Sequence, residues 1–174
     1  FRRALTAFLL AGLWVAAPVA AAPPERVLVF TKTAKFRHDA IPVAVTTLQR
    51  LVVDEGMAAD HTEDARVFTL ENLARYRVVV FASTTGDVLE DAQQAALEAF
   101  VRKGGGFIGV HAAADTEYDW PWYGQLVGAY FQNHPPGLQS TQVQPEKDGK
   151  PVRPRCPTTD ELYNYRANPR GPAQ

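Results

Sequence analysis

The sequence contains very little cysteine and carries almost no net charge. Its 174 residues include one cysteine, Cys156, so no disulfide can form within the chain. Lys and Arg total 18 against 19 for Asp and Glu, and the formal net charge of −1 leaves no basic excess of the kind that nucleic-acid-binding proteins carry. We therefore expect no nucleic-acid partner, and a fold stabilised by an apolar core rather than by disulfides.

Nucleotide and metal motifs are also missing. The sequence has no Walker A motif and no G-x-G-x-x-G, which disfavours a nucleotide cofactor. The glycine run in "KGGGF" follows a predicted helix and opens a predicted strand, the reverse of a phosphate-binding loop. No H-E-x-x-H is present either, so spacing alone gives a divalent metal ion only weak support.

The N-terminal stretch "FRRALTAFLLAGLWVAAPVAAAPPERV" has the order of a secretory signal peptide: two arginines, an apolar run, then small residues. Val19 and Ala21 suit the −3 and −1 positions of a cleavage site, so residues 1–21 are expected to be removed before Ala22. The alternative, a single membrane anchor, is disfavoured because the run is short for a span. We expect an exported protein, periplasmic or extracellular, with no stable membrane span after cleavage and one domain over residues 22–174.

Apolar runs separated by helical patterns predict an α/β fold. "RVLVFT", "RVVVFAS" and "FIGV" are compact runs typical of buried strands, and "MAADHTED" predicts a weaker strand. Asp39 and Thr69 stand where helix N-caps are expected. Apolar stripes predict the core faces of two helices, Ile41, Val45, Leu48 and Val52 in the first and Ala92, Ala96 and Phe100 in a later one. This alternation predicts a mainly parallel sheet with helices on both faces.

Polar loops follow the three strong strands, and ligands of such sheets bind at the carboxyl ends of the strands. These loops hold His38, Asp39, Asp87, His111 and Asp115. Three roles compete for them: binding a divalent metal ion, general acid/base catalysis by a histidine that a carboxylate orients, or simple anchoring of each loop. His134, in a later loop, is a third histidine that could converge there, whereas His61 is predicted to be a surface or structural residue.

An aromatic segment, "WPWYGQLVGAYF", follows the third strong strand and its loop, and a short helix is expected from about Pro121. Trp120, Trp122 and Tyr123 have two interpretations. They could stack on the apolar face of a sugar ring, or they could belong to the core, where large aromatic residues are common.

The motifs "VLVFTKTAKFRHDAIP", "FASTTGDVL" and "GGGFIGVHAAADTEYDWPWYGQLVGAYFQNHP" resemble those of the ThuA-like (trehalose utilisation) family, and "TDELYNYRANPR" resembles a later motif of it. The resemblance implies a flavodoxin-like three-layer sandwich similar to class I glutamine amidotransferases. In those enzymes a catalytic cysteine occupies the turn after a strand, and here His111 would stand in or next to its place. Cys156 is distant in sequence, so thiol-dependent glutamine hydrolysis is disfavoured.

The resemblance also implies a role in carbohydrate metabolism, on trehalose, a related disaccharide or a 3-keto-glycoside, with a small-molecule carbohydrate as partner. The implied activity is that of a hydrolase, lyase or isomerase; a non-catalytic sugar-binding domain and a metal-dependent hydrolase are the alternatives. No cofactor is certain, and a divalent metal ion stays open. The expected catalytic residues are His38, Asp87, His111 and Asp115, and the expected substrate-binding residues are Asp39, Gly86, Trp120, Trp122, Tyr123, Glu161 and Tyr163.

The C-terminal part departs from the family pattern. Between "HPPG" and "TDELYNYR" the family usually has more chain, with a further "HP" segment, and it continues beyond Arg170 to further strands. By this resemblance we expect a ThuA-like domain that is truncated in its C-terminal part.

Overall fold

The structure is a computed structural model that describes residues 24–147 and 150–167. The predicted signal peptide, residues 1–21, lies outside these residues. The first part of the described chain contains β1 (Arg26–Phe30), α1 (Ile41–Asp54), β2 (Ala58–Thr62), a 3₁₀ turn (Ala65–Val67), α2 (Leu70–Leu73), β3 (Val78–Ala82), α3 (Asp91–Arg102), β4 (Gly106–Val110), a second 3₁₀ turn (His111–Asp115) and α4 (Pro121–Val127). The remaining strands are β5 (Phe131–Asn133), β6 (Gln139–Val143), β7 (Glu146–Lys147), β8 (Lys150–Pro151), β9 (Cys156–Asp160) and β10 (Asn164–Tyr165).

The first four strands form one parallel sheet in the order β2-β1-β3-β4. The register places Leu28 opposite Val79, and Val80 opposite Ile108. Because each strand is joined to the next through a helix or turn on a face of the sheet, all four carboxyl ends point to the same edge. The predicted α/β fold with a mainly parallel sheet is confirmed.

Alternate residues of the central strands bury into two separate apolar layers. Val27 and Val29 lie on the face that α1 covers, with its Val45, Leu48 and Val52. The opposite face carries the larger side chains and packs against α2, α3 and α4 in a cluster that includes Leu28, Phe30, Phe81, Leu97, Phe100 and Tyr123. This alternation is what a sheet buried on both sides requires, and it gives the expected three layers.

The two predicted helix caps met different outcomes. Thr69 caps α2 by accepting a hydrogen bond from the backbone N–H of Asn72 at 3.1 Å, as predicted. The Asp39 cap is wrong: Ala40 is the N-cap of α1 and makes no side-chain hydrogen bond. Fewer donors need a cap there, because Pro42 has no N–H and the N–H of Ile41 bonds to the carbonyl of His38 at 3.2 Å.

The predicted stripe of α3 needs one correction. Ala92 is exposed in the first turn, whereas Ala96, Leu97 and Phe100 are buried. The face of α3 that packs on the sheet therefore begins one turn later than the alanine spacing suggested. The helix ends at Arg102, and Gly104 follows its C-cap with a φ of +96°, a conformation that glycine adopts without strain.

Beyond α4 the described residues form two-stranded ribbons, β5 with β10, β6 with β9 and β7 with β8. Most residues of these ribbons are exposed, which fits the polar, proline-rich composition of the segment. In the described part of the chain, no helix combines the length and the apolar character needed to span a bilayer.

Candidate functional site

The chain turns sharply where β4 ends. His111 opens the 3₁₀ turn that follows the strand, and its φ is +53°. Ser83, directly after β3, has a φ of +52°. Non-glycine residues rarely adopt this left-handed region, which costs about 1–2 kcal/mol per residue, and such strained positions cluster at functional sites. The ends of the neighbouring strands β3 and β4 thus both carry a strained, non-glycine residue.

Two histidines from separate loops meet one glutamate at this edge. His38, in the loop after β1, places its Nε2 3.8 Å from Oε2 of Glu161, and Nε2 of His111 lies 3.4 Å from the same oxygen. The His38 and His111 rings are in edge contact, with centroids 4.6 Å apart. We call His38, His111 and Glu161 the His/Glu cluster.

His134 adjoins the cluster from a third loop. Its Nε2 lies 3.8 Å from Oε1 of Glu161, and its Nδ1 is 2.8 Å from the carbonyl of Pro135. That carbonyl can only accept, so Nδ1 is the donor and Nε2 is the ring nitrogen that faces Glu161. Imidazoles from three loops therefore surround one carboxylate.

A short strand pairing brings Glu161 to the histidines. β10 runs antiparallel to β5 and pairs Asn164 with Asn133, whose side chains also hydrogen-bond at 2.8 Å. The backbone N–H of Arg166 bonds to the carbonyl of Tyr130 at 2.8 Å and extends the contact. The motif "TDELYNYR" is thereby held against the segment that ends in His134.

Tyr163 links the motif to the turn after β4. Its hydroxyl lies 3.1 Å from Nε2 of His111, and its ring packs against Phe131 and His134 with centroids 4.4 and 5.9 Å apart. Burial, together with the nearby charge of Glu161, raises the pKa of Tyr163 well above its ordinary value. The phenol is therefore protonated at physiological pH and can act as a hydrogen-bond donor.

His38 is the most enclosed of the three histidines, with a side chain 13% exposed. Burial lowers the pKa of His38, the charge of His111 lowers it further, and the carboxylates of Glu161 and Asp115 act in the opposite direction. The neutral ring, the form that accepts a proton or binds a metal ion, is favoured as a result.

Asp115 closes the turn that His111 opens. The hydroxyl of Tyr118 lies 2.6 Å from Oδ1 of Asp115 and 2.9 Å from the carbonyl of Phe131, so its one proton can be donated to either acceptor. The Asp115 carbonyl accepts a hydrogen bond from the N–H of Gly86 at 2.8 Å, which ties the turn to the loop after β3. Asp115 thus fixes the turn and contributes negative charge near His38.

A cavity of about 540 Å³ opens beside the cluster. His111, Glu161 and Tyr163 stand on its polar side, and its apolar walls include Phe107 and Leu126. The volume falls in the range of about 300–1,000 Å³ that small-molecule sites occupy. An apolar wall facing a few convergent polar groups suits an amphipathic ligand such as a sugar ring.

The His/Glu cluster also has the composition of a metal site. Within the described residues, His38, His111 and Glu161 each offer one ligand atom, and these atoms lie within 4.8 Å of one another. Two imidazoles and a carboxylate form a common donor set for zinc and related transition metals.

Comparison with known proteins gives the family. Residues 26–174 match the ThuA family, which is described as trehalose utilisation. The chain belongs to the ThuA family. The match covers every described element from β1 to β10, including the motif that carries Glu161 and Tyr163.

Two solved structures of ThuA-like proteins resemble the chain. One, from Bacteroides uniformis ATCC 8492, has 25% sequence identity and a TM-score of 0.70, and the alignment covers 88% of this chain and 66% of the other. The other, from Parabacteroides merdae ATCC 43184, has 20% identity and a TM-score of 0.54, with 81% and 49% covered, and supports the fold alone. The chain thus spans slightly less than two thirds and about half of these ThuA-like chains. A comparison with curated proteins gave no significant match.

Some of the residues predicted from the ThuA resemblance lie outside the His/Glu cluster. Asp39 and Asp87 are exposed, and Asp87 borders a separate depression with Lys32 and Gln94. Gly86 has a backbone role: its φ is +76°, and a Cβ there would stand 2.8 Å from Cγ of Lys35. Only glycine lets the two loops approach this closely.

The aromatic residues of the ThuA motif pack into the protein. Tyr123 is fully buried and donates a hydrogen bond to the carbonyl of Ala113 at 2.8 Å. Trp120 and Trp122 are half-buried, in ring contact with each other at 4.9 Å, and lie against the same core cluster. All three aromatic residues thus pack in or against the core cluster, and none of them lines the 540 Å³ cavity.

Two residues of this ThuA chain were not among the site residues assigned from the sequence. His134 was a third histidine that could converge with His38 and His111, but it was not given a catalytic or substrate-binding role. Glu117 is 1% exposed, and "TEYDW" gave no sign that its glutamate is buried. The histidine predicted to be peripheral, His61, is exposed and contacts the Thr31 hydroxyl at 2.8 Å, and Cys156 is exposed in β9.

Proposed function

We propose that this chain is an exported carbohydrate-processing protein that acts on a glycoside or keto-sugar of the trehalose type. The reaction is assigned to the His/Glu cluster and Tyr163. One observation carries the proposal: His38, His111, Glu161 and Tyr163 converge from three separate segments, and the last three of them line a cavity of ligand size.

The family description and the chemistry of the cavity support the substrate class. The ThuA family is described as trehalose utilisation. The cavity is lined by both apolar and polar residues. Sugars have the same mixture, with C–H faces and hydroxyl edges. Export is supported by the signal-peptide pattern of residues 1–21.

The proposed mechanism is proton transfer next to a sugar carbonyl. Tyr163 is protonated and donates to the substrate oxygen on which negative charge develops. The imidazoles of His38 and His111 polarise that oxygen or take the proton from the adjacent carbon. The same parts would serve an isomerase, or a lyase or hydrolase that cleaves a 3-keto-glycoside.

The test is turnover of trehalose and of 3-keto-glycosides by the wild type and two variants. His111→Asn removes the imidazole and keeps a residue type that tolerates positive φ, and Tyr163→Phe removes only the hydroxyl. Each is expected to lower kcat/KM by about 100-fold or more, the usual contribution of one acid or base. His61→Ala, at an exposed position on β2, is the matched control and is expected to leave turnover unchanged.

Undiminished turnover in His111→Asn would refute the assigned role. A wild-type protein that sugars stabilise against heat, with no turnover of any of them, would identify a sugar-binding domain instead of an enzyme.

A further inference from the structure

The geometry around Glu161 leads us to infer that the His/Glu cluster binds one divalent transition-metal ion, of the zinc type. His38, His111 and Glu161 supply the protein ligands, and His134 faces the other carboxylate oxygen. The inference deepens the proposed function. The catalytic role of the ion rests on that proposed function, whereas the binding site rests on the geometry of the cluster alone.

The carboxylate of Glu161 is enclosed but unsatisfied. Its Oε2 is buried and has no hydrogen-bond partner among the described residues. Nε2 of His111 and of His38 lie 3.4 and 3.8 Å away, beyond the length of about 2.7–3.2 Å of an ordinary N–H···O bond. A buried carboxylate oxygen without a partner is costly, and a cation between the three groups would remove that cost.

The separations between these atoms fit a bound ion. With metal–ligand bonds of about 2.1 Å and tetrahedral angles, neighbouring ligand atoms are about 3.4 Å apart. The observed 3.4 and 3.8 Å from Glu161 Oε2 to the two imidazoles are close to that spacing, and all three ligand atoms lie within 4.8 Å of one another. Nitrogen ligands favour zinc and its neighbours over magnesium and calcium, which take oxygen.

His134 has the arrangement of a ligand histidine. A metal-binding imidazole usually donates its second N–H to a carboxylate or a backbone carbonyl, which fixes the ring. Nδ1 of His134 does so with the carbonyl of Pro135 at 2.8 Å, and Nε2 lies 3.8 Å from Glu161 Oε1. His134 therefore stands next to the three ligands with its free nitrogen towards the carboxylate.

A bound ion would replace the contact between Tyr163 and His111. Its hydroxyl lies 3.1 Å from Nε2 of His111, the nitrogen assigned to the metal. With the ion bound, Tyr163 would keep the role of proton donor. The ion would take over from His38 and His111, now its ligands, the role of polarising the sugar carbonyl, as a Lewis acid. Tyr163→Phe therefore separates the two proposals, because it removes the donor and keeps every metal ligand.

The experiment is metal binding by the full chain without an affinity tag. Bound metal is removed with a chelator, and Zn²⁺ is then titrated calorimetrically and Co²⁺ by visible absorption. We expect about one ion per chain and the intense absorption of a four-coordinate cobalt site. His111→Asn and Glu161→Gln should each weaken Zn²⁺ binding by at least about 100-fold, because outer-sphere changes alone cost 10–100-fold. Tyr163→Phe should retain binding.

Two controls test the exposed groups that could bind zinc elsewhere. Cys156→Ser and His61→Ala are expected to bind Zn²⁺ like the wild type. Absence of binding by the wild type, equal binding by both cluster variants, or loss of binding in Cys156→Ser would each overturn the inference. The Glu161→Gln variant keeps the shape of the side chain, so it decides the matter if His111→Asn does not fold. Turnover without metal binding would refute the metal site alone, and metal binding without turnover would refute the proposed enzyme alone.

Discussion

Replacing Glu117 should destabilise the protein more than any exposed acidic substitution. This glutamate is 1% exposed, and its Oε1 accepts hydrogen bonds from the backbone N–H groups of Val88 and Leu89, both at 2.8 Å. Its Oε2 accepts a third from the side chain of Gln94 at 2.6 Å. The carboxylate thus joins the segment after the β4 turn to the loop before α3.

The expected cost follows from the donors left behind. Glu117→Ala leaves two backbone N–H groups without an acceptor, and each buried unsatisfied group costs about 1–3 kcal/mol. We expect a loss of about 3 kcal/mol in the free energy of unfolding, measured by urea denaturation followed by tryptophan fluorescence. Glu55→Ala, at an exposed position after α1, is the control and should change stability by less than about 0.5 kcal/mol. A Glu117→Ala variant as stable as this control would refute the reasoning.

Glu117→Gln adds a test of charge. Burial, opposed by the three hydrogen-bond donors, raises the pKa of Glu117 above its ordinary value of 4.5. The folded protein then binds this proton more tightly than the unfolded chain does. The part of the stability that comes from binding this proton at Glu117 is therefore complete below about pH 4.5 and is lost as the pH rises through the raised pKa. The stability of the wild type relative to Glu117→Gln should fall over that pH window, and a constant difference would contradict a raised pKa.

Three further predictions concern other parts of the chain. Asp60 accepts hydrogen bonds from Arg26, which lower the pKa of Asp60 below 3.8. Asp60→Asn should therefore lower the melting temperature above about pH 4 and have no effect once the pH falls below the lowered pKa. An equal effect at all pH values would contradict this. Gly124→Ala would place a Cβ 2.5 Å from the ring of Tyr130 and should cost about 1–3 kcal/mol in urea denaturation, so unchanged stability would show that the ring moves freely. N-terminal sequencing of the protein secreted by a bacterial host should begin at Ala22, and an uncleaved product in the cytoplasm would refute export.

Most of the sheet was predictable because three of its four strands, β1, β3 and β4, are compact apolar runs. Val27 and Val29 face one layer while Leu28 and Phe30 face the other, so a strand buried on both sides shows no polar residue in the sequence. Parallel pairing then places the loops that carry His38 and His111 at one edge without any knowledge of side-chain positions.

The rest of the site depends on features that periodicity does not encode. Glu161 reaches the histidines through β10, a strand of two residues that is too short to give a pattern, and only the family motif pointed to it. Strand-end loops also do not reveal where a side chain points: Asp87 is exposed, whereas the adjoining Val88 is buried. The catalytic role predicted for Asp87 stays a prediction, as do the roles predicted for His38, His111 and Asp115.

Turnover of a 3-keto-glycoside by wild-type protein and by His111→Asn, side by side, tests the central claim most directly. We predict turnover by the wild type and a loss of about 100-fold or more in kcat/KM for the variant, with both proteins folded by circular dichroism. Equal turnover by the two proteins would contradict the assignment of the reaction to the His/Glu cluster.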